Sequence, residues 1–148
     1  MILLDTDHVT VLRMPHGTRR DHLVARLSTA GDEDIGIAVV TVEEQMRGWM
    51  AAIAKERQPR RQIGPYRELA GLFEFFAEFV IAPFDDAAVS LFEQFARIRI
   101  GTMDKKIASI ALANNVLLLT ANRRGYEQIP GLRFENWMDP PPTTGTAP

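Results

Sequence analysis

The opening residues Met1-Ile2-Leu3-Leu4-Asp5-Thr6-Asp7 decide the fold, because three apolar residues stand in a row and an acid closes them. So short an apolar run suits a strand buried on both faces, with Asp5 at its exit. Working outward, residues 35–40 form a second apolar run containing β-branched side chains. Residues 79–82 form a third run and residues 116–119 a fourth, while residues 132–134 add a short edge strand.

The segments between these runs carry helical spacing. Residues 8–13 read as a short helix or turn broken by Pro15 and Gly17, and Leu23, Val24 and Leu27 mark a helix over about residues 19–30 that stops at Gly31. Thr41 with Glu44 three positions on has the pattern of a capping box, starting a helix that runs to about residue 57 and stops near Pro59. A helix over about residues 63–77 bears an apolar stripe of Leu69, Leu72, Phe73 and Phe76, read as core or dimer contact rather than as a base-stacking platform. Pro83-Phe84-Asp85 opens a helix to about residue 98. Asp104 begins another, with Ile107, Ala108, Ala111 and Leu112 at helical spacing, and Asn114-Asn115 ends it.

Strands that alternate with helices predict an α/β protein, a three-layer α/β/α sandwich around a mainly parallel central sheet. In such sheets the binding crevice lies at the C-terminal ends of the strands. The packed domain is expected over residues 1–138, and residues 139–148, DPPPTTGTAP, are expected to form a proline-rich flexible tail.

Composition narrows the chemistry. The 148 residues suit one domain and contain no cysteine, which excludes disulfides, thiol nucleophiles, Cys-ligated zinc and iron–sulfur clusters. No apolar run approaches the roughly 20 residues of a membrane span, and the N-terminus is not expected to be a signal peptide, so a cytoplasmic protein is expected. The net charge of -2 conceals basic clusters: Arg47, Lys55, Arg57, Arg60, Arg61 and Arg67 stand against the single acid Glu56, and Arg123 and Arg124 recur later. Such a surface could hold a phosphate backbone, although solvated Arg and Lys on helix faces are ordinary.

Three acids stand where the expected topology puts strand ends or helix starts: Asp5, Glu44 and Asp104. Carboxylates gathered in one crevice repel each other and take up protons, a conflict that a hard divalent cation relieves. Spacing alone does not establish that they meet, since acids in first helical turns also answer the helix dipole. The three histidines, His8, His16 and His22, make no base–nucleophile pair, and His8 is read as a turn or helix-face residue. No glycine-rich phosphate cradle is present.

The motifs together are more specific. LLDTDHV at 3–9, TVEEQMRG at 41–48 and IGTMDKKIASIALANNVLLLTANRRGYEQIPGLRFENW at 100–137 resemble the corresponding segments of PIN-domain ribonucleases, and most nearly the VapC toxins of type II toxin–antitoxin systems. The resemblance spans residues 2–137. It implies a metal-dependent endoribonuclease using Mg²⁺, with Mn²⁺ as the alternative, and with Asp5, Glu44 and Asp104 as metal ligands. Glu43 is the rival to Glu44, which is preferred because it stands four residues before Gly48. Asp7 is read as a turn cap or a metal contact. Asn122 of the T-x-N element is an auxiliary catalytic residue or a helix cap, and Arg47, Arg123 and Arg124 are candidate RNA contacts. Related chains often carry an acid where this one has Gly125, so the fourth carboxylate position is empty. The resemblance further implies an RNA substrate, a cognate VapB-like antitoxin and a homodimer. A PIN-like DNA or structure-specific nuclease, or a degenerate module that binds without cutting, are the rival readings.

Overall fold

The structure is a computed structural model that describes residues 1–143 and 145. The chain runs β1 (Ile2–Leu4), α1 (Thr6–Leu12), α2 (Thr18–Ser28), β2 (Ile35–Ala38), α3 (Val39–Lys55), α4 (Pro59–Phe76), β3 (Val80–Ala82), α5 (Asp86–Gln94), α6 (Thr102–Ala113), β4 (Leu117–Leu119), α7 (Arg123–Tyr126) and β5 (Phe134–Glu135). All neighbouring strands are parallel, in the order β3-β2-β1-β4-β5. The sheet is therefore wholly rather than mainly parallel.

Strand side chains alternate between faces, and two cores result. Leu3, Ala38 and Leu118 point into one with Ala88, Ile107, Ile110 and Tyr126 from α5, α6 and α7. Ile2, Leu4, Ile37 and Leu119 point into the other with Val9, Leu23, Leu72 and Phe76 from α1, α2 and α4. This is the three-layer α/β/α sandwich expected, and it explains why the strands read as unbroken apolar runs: both faces are covered. Met138 is the last buried residue described. Residues 140–143 and 145 lie in neither helix nor strand, and the rest of the expected tail, residues 144 and 146–148, lies outside the described residues. No helix among the described residues is long and apolar enough to cross a membrane.

The structure departs from expectation at the start of α3, at the start of α4 and in the face that α4 buries. The capping box at Thr41 is not formed: β2 ends at Ala38, and α3 begins at Val39 with no side-chain cap. Val40 is thereby turned into the core as a helical residue, while Thr41 is fully buried and hydrogen-bonds the Thr6 hydroxyl at 3.3 Å instead of capping. The second helix of the pair starts at Pro59 rather than near residue 63, because a proline suits the first helical position, where its missing N–H costs nothing. Phe73 leaves the expected apolar stripe and is 64% exposed.

Sheet order places the crevice. The chain leaves β1 toward β2 on one side and returns to β4 on the other, so the loops after β1 and β4 part between them. Asp5 lies in the first of these loops and Thr120 in the second.

Candidate active site

Asp5 caps the N-terminus of α1, its Oδ1 accepting the Thr6 N–H at 2.8 Å. Its Oδ2 accepts the Thr120 hydroxyl at 2.7 Å, tying the end of β1 to the end of β4. The residue is only 4% exposed. Burial pushes this carboxyl up to about 7, the charge of Asp7 adds to the shift, and the bonds from Thr120 and Thr6 oppose it.

Asp104 reaches the same crevice from the first turn of α6. The Asn122 amide donates to its Oδ2 at 3.1 Å, and the Tyr126 hydroxyl donates to its Oδ1 at 3.4 Å. The Asn122 backbone N–H donates in turn to the Thr120 hydroxyl at 3.0 Å, which joins Asp104 to Asp5 through two side chains. Burial raises the Asp104 carboxyl, and the charge of Asp7 raises it further. Glu44, one turn deeper into α3 than a capping box would put it, accepts the Thr6 hydroxyl at 3.3 Å. Burial raises it too, and Asp104 and Glu43 add to the shift. The three acids are thus brought to one crevice, where the charge of Asp104 acts on both Asp5 and Glu44.

Asp7 belongs to the same cluster but behaves differently. Burial would raise it, yet a His8 ring nitrogen at 2.6 Å and the Ala121 N–H at 2.8 Å hold its carboxyl below the usual value. His8 lies on the buried face of α1 and is fully enclosed. Its Nε2 accepts the Trp137 backbone N–H at 3.3 Å, so the ring proton lies on Nδ1 and points to Asp7. The late Asn-Trp segment therefore orients an acid near the N-terminus, a link that sequence reading missed. Tyr126 and Thr120 were also missed. The Tyr126 ring is buried in the core, and burial followed by the charges of Asp5 and Asp104 raises its hydroxyl, which stays a neutral donor. Thr120 had a signal, the first position of the T-x-N element. Tyr126 had none beyond following Gly125.

Asn122 forms the expected helix cap and also turns its amide to Asp104. Its side-chain oxygen caps α7 by accepting the Gly125 N–H at 3.2 Å, while its amide group bonds Asp104. Gly125 makes this possible: a Cβ there would stand 2.6 Å from Asn122 Nδ2. The arginines are dispersed. Arg47 is ion-paired to Glu43 on the exposed side of α3, so Glu43 faces away from the Thr6–Glu44 contact. Arg123 lines a polar cavity of about 160 Å³ with Thr120, Glu135 and Asn136, and Arg124 is exposed beside it on α7.

The donor set fits a hard divalent cation in kind: every group is oxygen, and burial, with a smaller contribution from neighbouring negative charge, raises the three carboxyls, a penalty that bound positive charge would relieve. As they stand, however, no three His, Asp or Glu side chains among the described residues are placed to hold a metal ion. The acids form an open cluster.

Such a chain is an α/β protein with an acidic crevice at its topological switch point. Similar architectures occur in solved structures of toxin–antitoxin complexes. The chain matches a chain of VapBC-1 from nontypeable Haemophilus influenzae with a TM-score of 0.76 and 18% identity, over 94% of this chain and 100% of that one. It matches the DNA-bound VapBC of Salmonella typhimurium with a TM-score of 0.70 and 26% identity, over 92% and 97%. VapBC2 of Rickettsia felis, bound to a promoter DNA fragment, gives 0.70 and 23% over 93% and 99%. No family model and no curated protein matches the sequence. The fold is the PIN-like fold of VapBC complexes, as the motifs led one to expect.

Proposed function

We propose that the chain is a VapC-type toxin: a cytoplasmic endoribonuclease dependent on Mg²⁺ or Mn²⁺ and silenced by a cognate antitoxin. The observation that carries this reading is the convergence of Asp5, Glu44 and Asp104 on the crevice after β1 and β4. Asp5, Glu44 and Asp104 would hold the cation, which when bound supplies Lewis acidity and offsets charge growing on a phosphate. Thr120, Asn122 and Tyr126 orient the carboxylates, and His8 fixes Asp7 at the rim. Water attacks the phosphodiester in line, leaving a 5′-phosphate and a 3′-hydroxyl. Likeness to VapBC complexes supports an antitoxin partner. A homodimer is the further assembly we propose, with the exposed Phe73 face of α4 as its contact.

The test is end-mapped cleavage of total cellular RNA by purified, antitoxin-free chain with Mg²⁺ or Mn²⁺, set beside Asp5→Asn and Asp104→Asn. Defined ends that vanish in both variants are expected. Persistent cutting by both folded variants would remove the site. Binding of RNA without cutting by the unsubstituted chain would favour the degenerate module, the reading to which Gly125 lends support.

A further inference from the structure

The crevice continues past Glu44 along α3. A shallow cavity of about 230 Å³, lined by Glu44, Gly48 and Ala52, shares Gln45 and Trp49 with a second cavity of about 260 Å³. The second shares Met14 with a third of about 210 Å³, walled by Arg19 and Arg20. The three adjoin through these shared residues and make a track, with an acid of the cluster at one end and the Arg13–Glu68 pair lining its middle. Trp49 is half-buried in its floor, five residues beyond Glu44 and so roughly 7.5 Å further along the helix axis.

The far end is cationic. Neither Arg19 nor Arg20 pairs with a carboxylate among the described residues. Arg13 does not add to this charge, since it is paired with Glu68 at 3.1 Å and lies 5.7 Å over the Phe75 ring. A flat aromatic beside a carboxylate, followed by guanidinium groups without a carboxylate partner, of which Arg20 also donates its Nε to the Leu12 carbonyl at 3.3 Å, matches an unpaired nucleobase and its downstream phosphates better than a duplex, whose bases offer no free face. Gly48 keeps the entrance open, because a Cβ built there meets nothing within 4 Å.

We propose that a single-stranded segment of RNA lies in this track, with one base stacked on the Trp49 indole and its phosphates drawn toward Arg19 and Arg20. This rests on the nuclease reading of Glu44 and names where that substrate is gripped.

The experiment uses the full chain carrying Asp104→Asn, which on the nuclease reading is expected to bind without cutting, and a labelled mixed-sequence RNA oligonucleotide followed by anisotropy in Mg²⁺. Trp49→Leu, which keeps an apolar floor without a stacking face, is expected to weaken binding on the order of tenfold, while Trp49→Phe stays within about threefold. Gly48→Leu, whose Cβ meets nothing within 4 Å, narrows the entrance and is expected to weaken binding while leaving the melting temperature at or above that of the parent. Arg19→Ala is expected to flatten the slope of log affinity against log salt by about 0.7. Unchanged affinity in both Trp49→Leu and Gly48→Leu overturns the track. The nuclease reading then still stands if the unsubstituted chain cuts RNA, and both fall if that chain neither binds nor cuts it. Should the two substitutions spare RNA binding and instead release the antitoxin, the groove is a protein-docking surface and the proposal fails.

Discussion

Replacing Asp5 by Asn is expected to stabilise the metal-free protein while abolishing cleavage. The carboxyl rises from 3.8 to about 7 on folding, so between those values the folded chain binds more protons than the unfolded chain. Stability therefore falls as pH rises through this window, and the loss is complete above about 7. A rise of this size corresponds to about 4 kcal/mol at most for a group so deeply buried. Asn carries no charge and can keep the local bonds: its oxygen takes the Thr6 N–H, its amide donates to Thr120, and the Thr120 hydroxyl turns to Asp7 Oδ2, now 3.5 Å away. That last bond must shorten to replace the lost one, so a net gain of about 2–4 kcal/mol is expected above pH 7. For a chain of this length each kcal/mol moves Tm by roughly 2–4 °C, so the variant should melt about 4–16 °C higher. The assay is thermal unfolding followed by circular dichroism in EDTA, for both proteins, at pH 4 and pH 8. Near pH 4 most of the difference should vanish, because folded Asp5 is then protonated and the unfolded carboxyl, near its own value of 3.8, is roughly half so. A gap that does not widen with pH, or an Asp5→Asn protein that melts lower at pH 8, would refute an acid held against its own charge.

Glu44→Gln should reduce RNA cleavage by about 100-fold or more, whereas Glu43→Gln should stay within a few-fold; initial rates with a defined RNA decide which of the two acids is used. Tyr126→Phe keeps the buried ring and removes only the hydroxyl, so Mn²⁺ affinity measured by calorimetry should fall by roughly tenfold with little change in melting. Equal affinities would show that its 3.4 Å contact with Asp104 orients nothing. Gly125→Ala drives the Asn122 amide from its place and should cost about 1 kcal/mol, read by urea unfolding. If it acts through Asn122, adding it to Asn122→Ala costs nothing further, and full additivity would count against the coupling.

Much of the fold was legible in the chain. Ile2-Leu3-Leu4 and Leu117-Leu118-Leu119 are apolar on both faces, and only a strand covered by helices on both sides can bury such runs, so the layered parallel sheet followed from local pattern. Boundaries were less legible where two local rules competed. Thr41 and Glu44 satisfy the capping-box pattern, but burying Val40 and Thr41 within α3 outweighed a cap on the surface.

The site divides in the same way. Sequence by itself determined which oxygen donors exist, that Asp5 stands at a strand exit and that Asp104 stands at a helix start, because strand exits and helix starts are written in neighbouring residues. Only tertiary structure decided that Thr120 bridges to Asp5 and that Asn122 turns to Asp104 across the space Gly125 leaves. It also decided that His8 receives the Trp137 N–H while donating to Asp7. Those contacts join residues up to 129 positions apart. Their geometry comes from the order in which five strands pair, a property that no local stretch of the chain contains.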